Sequence, residues 1–403
     1  MEYVKLKDIT LSTQYGYTAG ETSKTEGVYK YLRITDIVPY FVDFDTVPYC
    51  TIPQNKVEQY LVHEGDVLIA RTGATTGYNY VVPKGVKNTV YASYLIRFNL
   101  DKTKILPSYL KYALKSQTYY GFVNNYIGGS AQPGMNARVF GRFNVPYNSL
   151  PVQTRVASIL SDYDNLIENN NRRIRLLEQM AENLYKEWFV RFRFPGHEKA
   201  EFENGLPKGW KYEHIGNVCD TIGGGTPSTS KPEYWNGDIK WVTPTDITSK
   251  SSLPLLNVEG RITEEGLKSS SAKLLPPYTI LMTSRASIGY FGLAPFPVCT
   301  NQGFISIIPN QTNMRMYILH NLMTRKDEII LNANGSTFLE ISKGRFRKMK
   351  IVVPDDKTLE SFEKRTRDIF MQVLKIEKQS ELLSRQRDLL LPRLMSGKLE
   401  VKV

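Results

Sequence analysis

The residue types that most often carry metal or covalent chemistry are sparse in this 403-residue chain. Its four histidines, His63, His197, His214 and His320, stand too far apart along the sequence to suggest a metal site. The three cysteines, Cys50, Cys219 and Cys299, form no CxxC pair, which points to reduced thiols rather than a zinc site or a disulfide framework. A phosphate-cradling GxxxxGK[ST] loop is absent, since Gly397-Lys398 lacks the upstream pattern. Gly223-Gly224-Gly225 runs into Thr226-Pro227, which suits a loop better than the helix opening of a dinucleotide site. Leu275-Pro276-Pro277-Tyr278 approaches an amino-methyltransferase motif but lacks the amide or acid whose oxygen accepts the amino proton. Carboxylates are plentiful, but no spacing singles out a nuclease cluster. These residues predict a chain without catalysis, metal or cofactor of its own.

Other residues suit binding to nucleic acid. Base edges are read by side chains with paired donors and acceptors, whereas phosphates take cations, hydroxyls and backbone amides. Two similar segments supply both kinds: Arg71, Thr72, Gly73, Thr75 and Thr76 align opposite Thr283, Ser284, Arg285, Ser287 and Ile288. Two Gly-rich turns, with Gly129, Ser130 and Gln132 and with Gly335, Ser336 and Thr337, let a backbone approach a phosphate closely. Asn301 and Gln302 carry amides that match adenine. Lys343, Arg345 and Arg347 lie in the run KGRFRKMK (343–350), which has no acid and forms a phosphate strip. Trp188 and Phe189 read as core residues, an exposed part of which would serve as a docking anchor.

The elements that position these residues are written twice, about 210 residues apart. YLRITDI (31–37) answers WVTPTDI (241–247), setting Asp36 opposite Asp246, and EGDVLIARTGATTGY (64–78) answers PPYTILMTSRASIGY (276–290). IGGSAQPGMN (127–136) answers NGSTFLEIS (334–342), and Pro146 answers Pro354. So long a period means duplicated domains rather than a solenoid. VLIAR, YLIRF, TILMTS and FISII are apolar or β-branched runs bounded by turn residues and predict strands. Short helices are expected around 107–120 and 314–330, making each copy an α+β domain.

Each copy then ends in a heptad stripe. Leu160, Ile167, Ile174, Ala181 and Trp188 recur every seven residues, with Tyr163, Asn170, Leu177 and Leu184 between them. Phe362, Ile369, Ile376, Leu383 and Leu390 repeat the interval in the second copy, joined by Val373 and Leu394. Helices of some 35–40 residues, roughly 50–60 Å long, follow from this pattern. Their antiparallel pairing would use Leu160, Ile167, Ile174, Leu177, Leu184, Ile369, Ile376, Leu383 and Leu390 and hold the globular domains apart. The expected division is a first globular domain (1–150), a central helix (151–195), a second globular domain (196–357) and a C-terminal helix (358–403).

Composition agrees with a binding protein. Net charge is +12, from 52 Lys and Arg against 40 Asp and Glu, and the excess is spread along the chain. Distributed basicity suits a surface covering a length of polyanion, because each neutralised phosphate releases counterions. No apolar run approaches a membrane span, and MEYVKLKDITLSTQ carries charges where a signal peptide needs its apolar core. A cytoplasmic location is expected.

The chain resembles the specificity subunit of type I restriction–modification systems. The likeness rests on GGGTPSTSKPEYWNGDIKW (223–241), TSRASIGY (283–290), TNQGF (300–304) and NGSTFLEIS (334–342). It extends through LLEQMAENLYKEWFVRFRFPG (176–196) and RQRDLLLPRLMSGKLEV (385–401), so that it covers nearly the whole chain. The first domain departs from the pattern by lacking the GGGTP…YW…W stretch. The resemblance implies two target recognition domains, each reading half of a split site in double-stranded DNA, with a coiled-coil spacer setting the gap. It also implies two S-adenosylmethionine-binding methyltransferase subunits as partners and two ATP-driven restriction subunits as optional ones, which would carry the chemistry. A recognition subunit of a related methyltransferase system without an ATP-driven motor is the alternative.

Overall fold

A computed structural model describes residues 2–22, 27–38, 42–127, 134–250, 252–335 and 339–402. The chain divides into two compact units, Met1–Glu168 with Glu381–Val403, and Asn169–Ser380. In the first, β1 (Glu2–Lys5) pairs antiparallel with β9 (Asn144–Tyr147), tying the start of the unit to the end of its globular part. Four strands, β2 (Thr10–Tyr15), β8 (Leu95–Leu100), β5 (Val67–Ala70) and β6 (Asn79–Val81), form an antiparallel sheet in that spatial order. Beside it lies a three-stranded sheet ordered β4 (Tyr49–Cys50), β3 (Tyr29–Leu32), β7 (Thr89–Tyr91), in which β3 and β7 run parallel.

After a short ribbon of β10 (Phe202–Glu203) and β11 (Leu206–Pro207), the second unit repeats this plan. β12 (Lys211–His214) pairs with β20 (Lys350–Val353). The four-stranded sheet is β13 (Cys219–Gly223), β19 (Phe304–Pro309), β16 (Ile280–Thr283) and β17 (Phe291–Leu293). The three-stranded sheet is β15 (Arg261–Ile262), β14 (Trp235–Val242) and β18 (Cys299–Thr300), again with its last pair parallel. The internal repeat of the sequence is therefore a repeat of strand order.

Burial explains why the strands read as they do. β5 and β16 are buried along their whole length, because each lies between two strands and between two cores. Val67 and Ile69 enter the core that contains Phe98 and Tyr109, while the alternate residues Leu68 and Ala70 enter the one that contains Leu32 and Tyr91. Ile280 and Met282 likewise face one core and Leu281 another. A continuous apolar run is what a strand covered on both faces requires.

The repeated Thr-Asp-Ile is a helix cap. Asp36 accepts from the Arg33 backbone N–H at 2.8 Å at the start of helix Ile34–Ile37. Asp246 accepts from both the backbone N–H and the hydroxyl of Thr243 at 2.7 Å ahead of helix Pro244–Thr248. The short helices expected around 107–120 and 314–330 are each split in two, as Pro107–Ala113 with Gln117–Ile127 and as Arg315–Thr324 with Lys326–Leu331.

The heptad stripes form helices Leu150–Tyr185, of 36 residues, and Asp356–Met395, of 40. The first runs on into a π-helical turn, Lys186–Val190. Within the first unit, Leu160 shares a core with Leu394 and Met395. Within the second, Ile174 packs on Val373 and Ile376, and Asn170 Nδ2 donates to Ser380 Oγ at 3.1 Å. In both units numbers rise along one helix as they fall along the other, so the pairing is antiparallel. Each helix also serves its own globular part near its start. Gln153 accepts from the Leu106 N–H and Glu363 from the Met316 N–H, both at 2.8 Å, satisfying donors left open at the start of the earlier helices Pro107–Ala113 and Arg315–Thr324.

Candidate nucleic-acid interface

Between β5 and β6 the chain makes a turn whose geometry is set by two glycines in the left-handed region, Gly73 and Gly77 (φ 72° and 91°). Thr76 is buried and its hydroxyl donates to the Gly73 carbonyl at 2.7 Å, so it holds the turn from inside. Arg71, Thr72 and Thr75 are half-buried and Gly73 is exposed. Thr72 bridges to Gly134, and the Met135 N–H donates to the Arg71 carbonyl at 2.8 Å. The turn and the segment following the first Gly-rich stretch are thus brought together. The Arg71 guanidinium lies over the Tyr15 ring, 5.0 Å from its centroid.

The corresponding turn of the second unit is one residue shorter. Gly77 and Gly289 donate to the carbonyls of Ala70 and Thr283, and Arg71 and Ser284 donate to those of Tyr94 and Gly303. Arg71 is therefore equivalent to Ser284, and Thr72 to Arg285, one position away from the alignment read along the sequence. Thr283 is fully buried; its hydroxyl donates to the Ser287 carbonyl and accepts from the Tyr290 N–H at 3.0 Å. Ser284 is buried as well, whereas Arg285 and Ser287 are exposed. Ala286 takes the left-handed conformation (φ 60°) at the position where the first unit has Gly73.

Around this second turn the other candidates collect. Arg285 bridges to Glu340, its Nε 4.0 Å from the carboxylate. Asn334 also bridges to Glu340, next to Gly335 (φ 135°), and its side chain accepts from Arg345 at 2.7 Å. Lys343, Arg345 and Arg347 are exposed on helix Lys343–Lys348, which anchors through buried Phe346. Asn301 serves a turn, accepting from the Gly303 N–H at 2.9 Å, while exposed Gln302 accepts from the Thr226 hydroxyl. Gly129, Ser130, Gln132, Ser336 and Thr337 lie outside the described residues.

Several participants escaped the sequence reading. A Cβ on Gly224 would lie 1.9 Å from the Asn301 carbonyl oxygen, and one on Gly16 would lie 2.2 Å from that of Ala92, so both glycines permit the same close approach. The first domain keeps the essential glycine of GGGTP without its neighbours. The Trp241 indole donates to the Gly225 carbonyl at 2.9 Å, and the Tyr31 hydroxyl donates to that of Tyr17 at 2.9 Å. The same scaffold bond is made by a different aromatic donor. Trp235 adds a third anchor, donating to the Ser228 carbonyl at 3.1 Å, and so fixes a loop of exposed residues from Ser228 to Lys231.

Of the helix-pairing residues, Leu160, Ile167, Ile174, Ile369 and Ile376 are buried, and Leu177, Leu184, Leu383 and Leu390 are half-buried. The seam also holds a polar node. Asp164, 2% exposed, accepts from Lys111 at 2.6 Å, the Tyr112 hydroxyl at 2.8 Å and Arg387 at 3.0 Å. Trp188 and Phe189 are buried in the second unit's core, among Trp210, Tyr317 and Phe362.

Among the described residues no group of three or more His, Cys, Asp or Glu side chains could hold a metal ion. The three cysteines are free and buried, and burial pushes their thiols up, to about 11 for Cys50 and about 12 for Cys219 and Cys299. No helix among the described residues is long and apolar enough to cross a membrane.

Comparison with known proteins gives a consistent result. A family model described as the type I restriction modification DNA specificity domain matches twice, over residues 1–179 and 207–383. The type I restriction enzyme MjaIX specificity subunit of Methanocaldococcus jannaschii is 36% identical over 169 residues, spanning 41% of this chain and 39% of that protein. The putative MjaX specificity subunit of the same organism is 24% identical over 412 residues, spanning 100% of this chain and 94% of its own length. The HindI specificity subunit of Haemophilus influenzae is 22% identical across 84% of this chain and 87% of its own. The crystal structure of a type I restriction–modification system S subunit from M. genitalium matches with a TM-score of 0.60 at 14% identity, covering 97% of this chain and 95% of that one. That likeness is one of fold.

Proposed function

The chain belongs to the type I restriction–modification DNA specificity family, and from that premise we propose that it is the subunit that chooses the DNA target for partner enzymes. Each unit reads one half of a split site in double-stranded DNA. Residues 1–150 and 196–357 are the two recognition domains, and 151–195 and 358–403 are the spacer helices. The observation that carries this reading is the duplicated strand order, in which both copies carry an arginine in a left-handed turn after the strand that is buried along its whole length.

The candidate residues divide by accessibility. Arg71, Thr72, Gly73 and Thr75 in the first unit would meet DNA, as would Arg285, Ser287, Gln302 and Gly335 in the second. Lys343, Arg345 and Arg347 would bind phosphates, adding counterion release to affinity. Thr76, Thr283, Ser284 and Asn301 would hold the turns that present the others. Two methyltransferase subunits would methylate adenine where this chain directs them, in the cytoplasm, and two ATP-driven restriction subunits would cut. The test is methylation-sensitive long-read sequencing of cells carrying this chain with its neighbouring methyltransferase gene, beside a deletion strain. A new motif of two short half-sites around a fixed gap is expected. No motif despite a purified complex with the methyltransferase would overturn the reading.

A further inference from the structure

Arg71 is fixed more tightly than a turn arginine needs to be. Its N–H donates to the Tyr94 carbonyl at 3.0 Å and its carbonyl accepts from Met135 at 2.8 Å, so its backbone is clamped on both sides. Its guanidinium lies 5.0 Å from the centroid of Tyr15, a ring that is 40% exposed at the end of β2. The ring is itself held, because its hydroxyl accepts from the Ala137 N–H at 3.3 Å. Arg33 and Arg97 in the same unit are held by the carboxylates of Asp36 and Asp66. Arg71 meets no carboxylate within 4.0 Å among the described residues.

This arrangement has a chemical meaning. A guanidinium held over an aromatic face is attracted by the ring's charge distribution rather than by a hydrogen-bond acceptor, so the contact leaves N–H donors to be satisfied elsewhere. The contact also removes part of the rotamer freedom that an arginine loses on binding. The planar fork then matches the O6 and N7 acceptors of guanine in the major groove. The residues that follow, Thr72, Gly73, Ala74 and Thr75, are small, so the turn does not obstruct entry.

The second unit argues against a generic phosphate contact here. Its scaffold repeats the capping aspartate, the close-approach glycine and the aromatic donor. At the reading position the two copies part company. Gly223 replaces Tyr15, buried Ser284 replaces Arg71, and the nearby arginine, Arg285, sits one residue later beside Glu340. A phosphate clamp would serve both half-sites equally, whereas a base reader must differ between them.

We propose that Arg71, held over the Tyr15 ring, is a guanine reader that specifies one G·C pair in the half-site of the first unit. The inference rests on the DNA-specificity reading above. It is tested by mapping methylation motifs for wild type, R71A, R71K, Y15F and Y15L, each as the full chain with its methyltransferase partner. Wild type should show a G·C pair that R71A relaxes to any base, leaving the gap and the other half-site intact. R71K keeps the charge but not the fork and should relax the same position. Y15L should weaken it most, and Y15F, which retains the ring but loses the hydroxyl that meets Ala137, should weaken it less. A duplex bearing 7-deazaguanine at that position should bind wild type roughly 5- to 100-fold more weakly, and R71A no worse than ordinary DNA. An unchanged motif in R71A, with uniformly weaker binding and a salt slope lower by about one, would make Arg71 a phosphate contact and overturn the proposal. Absence of any split motif in wild type would instead bring down the specificity reading, and this inference with it.

Discussion

Single atoms decide whether the recognition scaffold can close. At Gly16 and Gly224 a methyl group would lie 2.2 and 1.9 Å from a carbonyl oxygen, far inside van der Waals contact. The obstructing atoms are backbone, which cannot swing aside. G16A and G224A should therefore each destabilise the chain by at least about 2 kcal/mol, read as a lower urea midpoint. An unshifted midpoint for either would mean that the strand ends separate without cost. His320 makes a second case at this scale. It is 2% exposed against the rings of Tyr185 and Phe362, and neither ring nitrogen meets a partner among the described residues. Burial holds its pKa down to about 4, against the small opposing pull of Glu182. The unfolded chain takes up this proton below its ordinary value of about 6.5, while the folded chain stays neutral, so stability present above pH 6.5 is lost as pH falls toward 4. H320L should remove that loss, gaining about 2 kcal/mol relative to wild type on going from pH 7 to pH 5. A constant difference in urea midpoints between the two pH values would show that the imidazole is not what makes the fold acid-sensitive.

The long helices are the elements whose pairing can be tested directly. Most of the seam is aliphatic, but Asp164 interrupts it in the first unit with Lys111, Tyr112 and Arg387 around one carboxylate. Removing one partner of such a buried group leaves uncompensated charge, which costs about 3–5 kcal/mol. D164A should lose that much in equilibrium unfolding, with D164N losing less because the amide still accepts from Tyr112. Equal losses would locate the effect in the charge that both variants remove, and a loss below about 1 kcal/mol in D164A would show that the node does not hold the helices. At Asn170 and Ser380, which occupy equivalent places in the two copies, the seam carries a polar pair instead. A lone asparagine in an apolar stripe lowers stability while favouring one register over its neighbours.

For the whole molecule, distributed basicity and duplication fit a split target read under electrostatic attraction. If the spacer helices set the gap, adding one helical turn between 165 and 185, with a matching turn in the partner helix, should lengthen the gap and leave both half-sites unchanged. The same long-read methylation map checks this. Altered half-site bases with an unchanged gap would assign the spacing to some other part of the chain.

How much of this was legible in the sequence depended on the range of the interaction. Strand runs, heptad stripes, the capping Asp36 and Asp246 and the left-handed Gly77 and Gly289 are local patterns, set by backbone geometry within a few residues. The runs, the stripes and the duplication are read from the sequence. Asp36, Asp246, Gly77 and Gly289 stand out there only as matching positions, and the structure gives them their roles as caps and left-handed turn residues. The two recognition turns could not be read there. Matching Gly-Tyr ends hid a one-residue difference in length, so Arg71 was set opposite Thr283 when its backbone bonds make it the counterpart of Ser284. The Tyr15 platform under Arg71, the Tyr31 and Trp241 donors and the Asp164 node were likewise invisible. Each joins residues far apart in sequence, and nothing local distinguishes them from ordinary exposed or core side chains. The sequence by itself determined the elements and their repetition, because periodicity and caps are short-range physics. Only the tertiary structure decided which side chains in each turn face outward, because that depends on which strand ends and carbonyls close against one another.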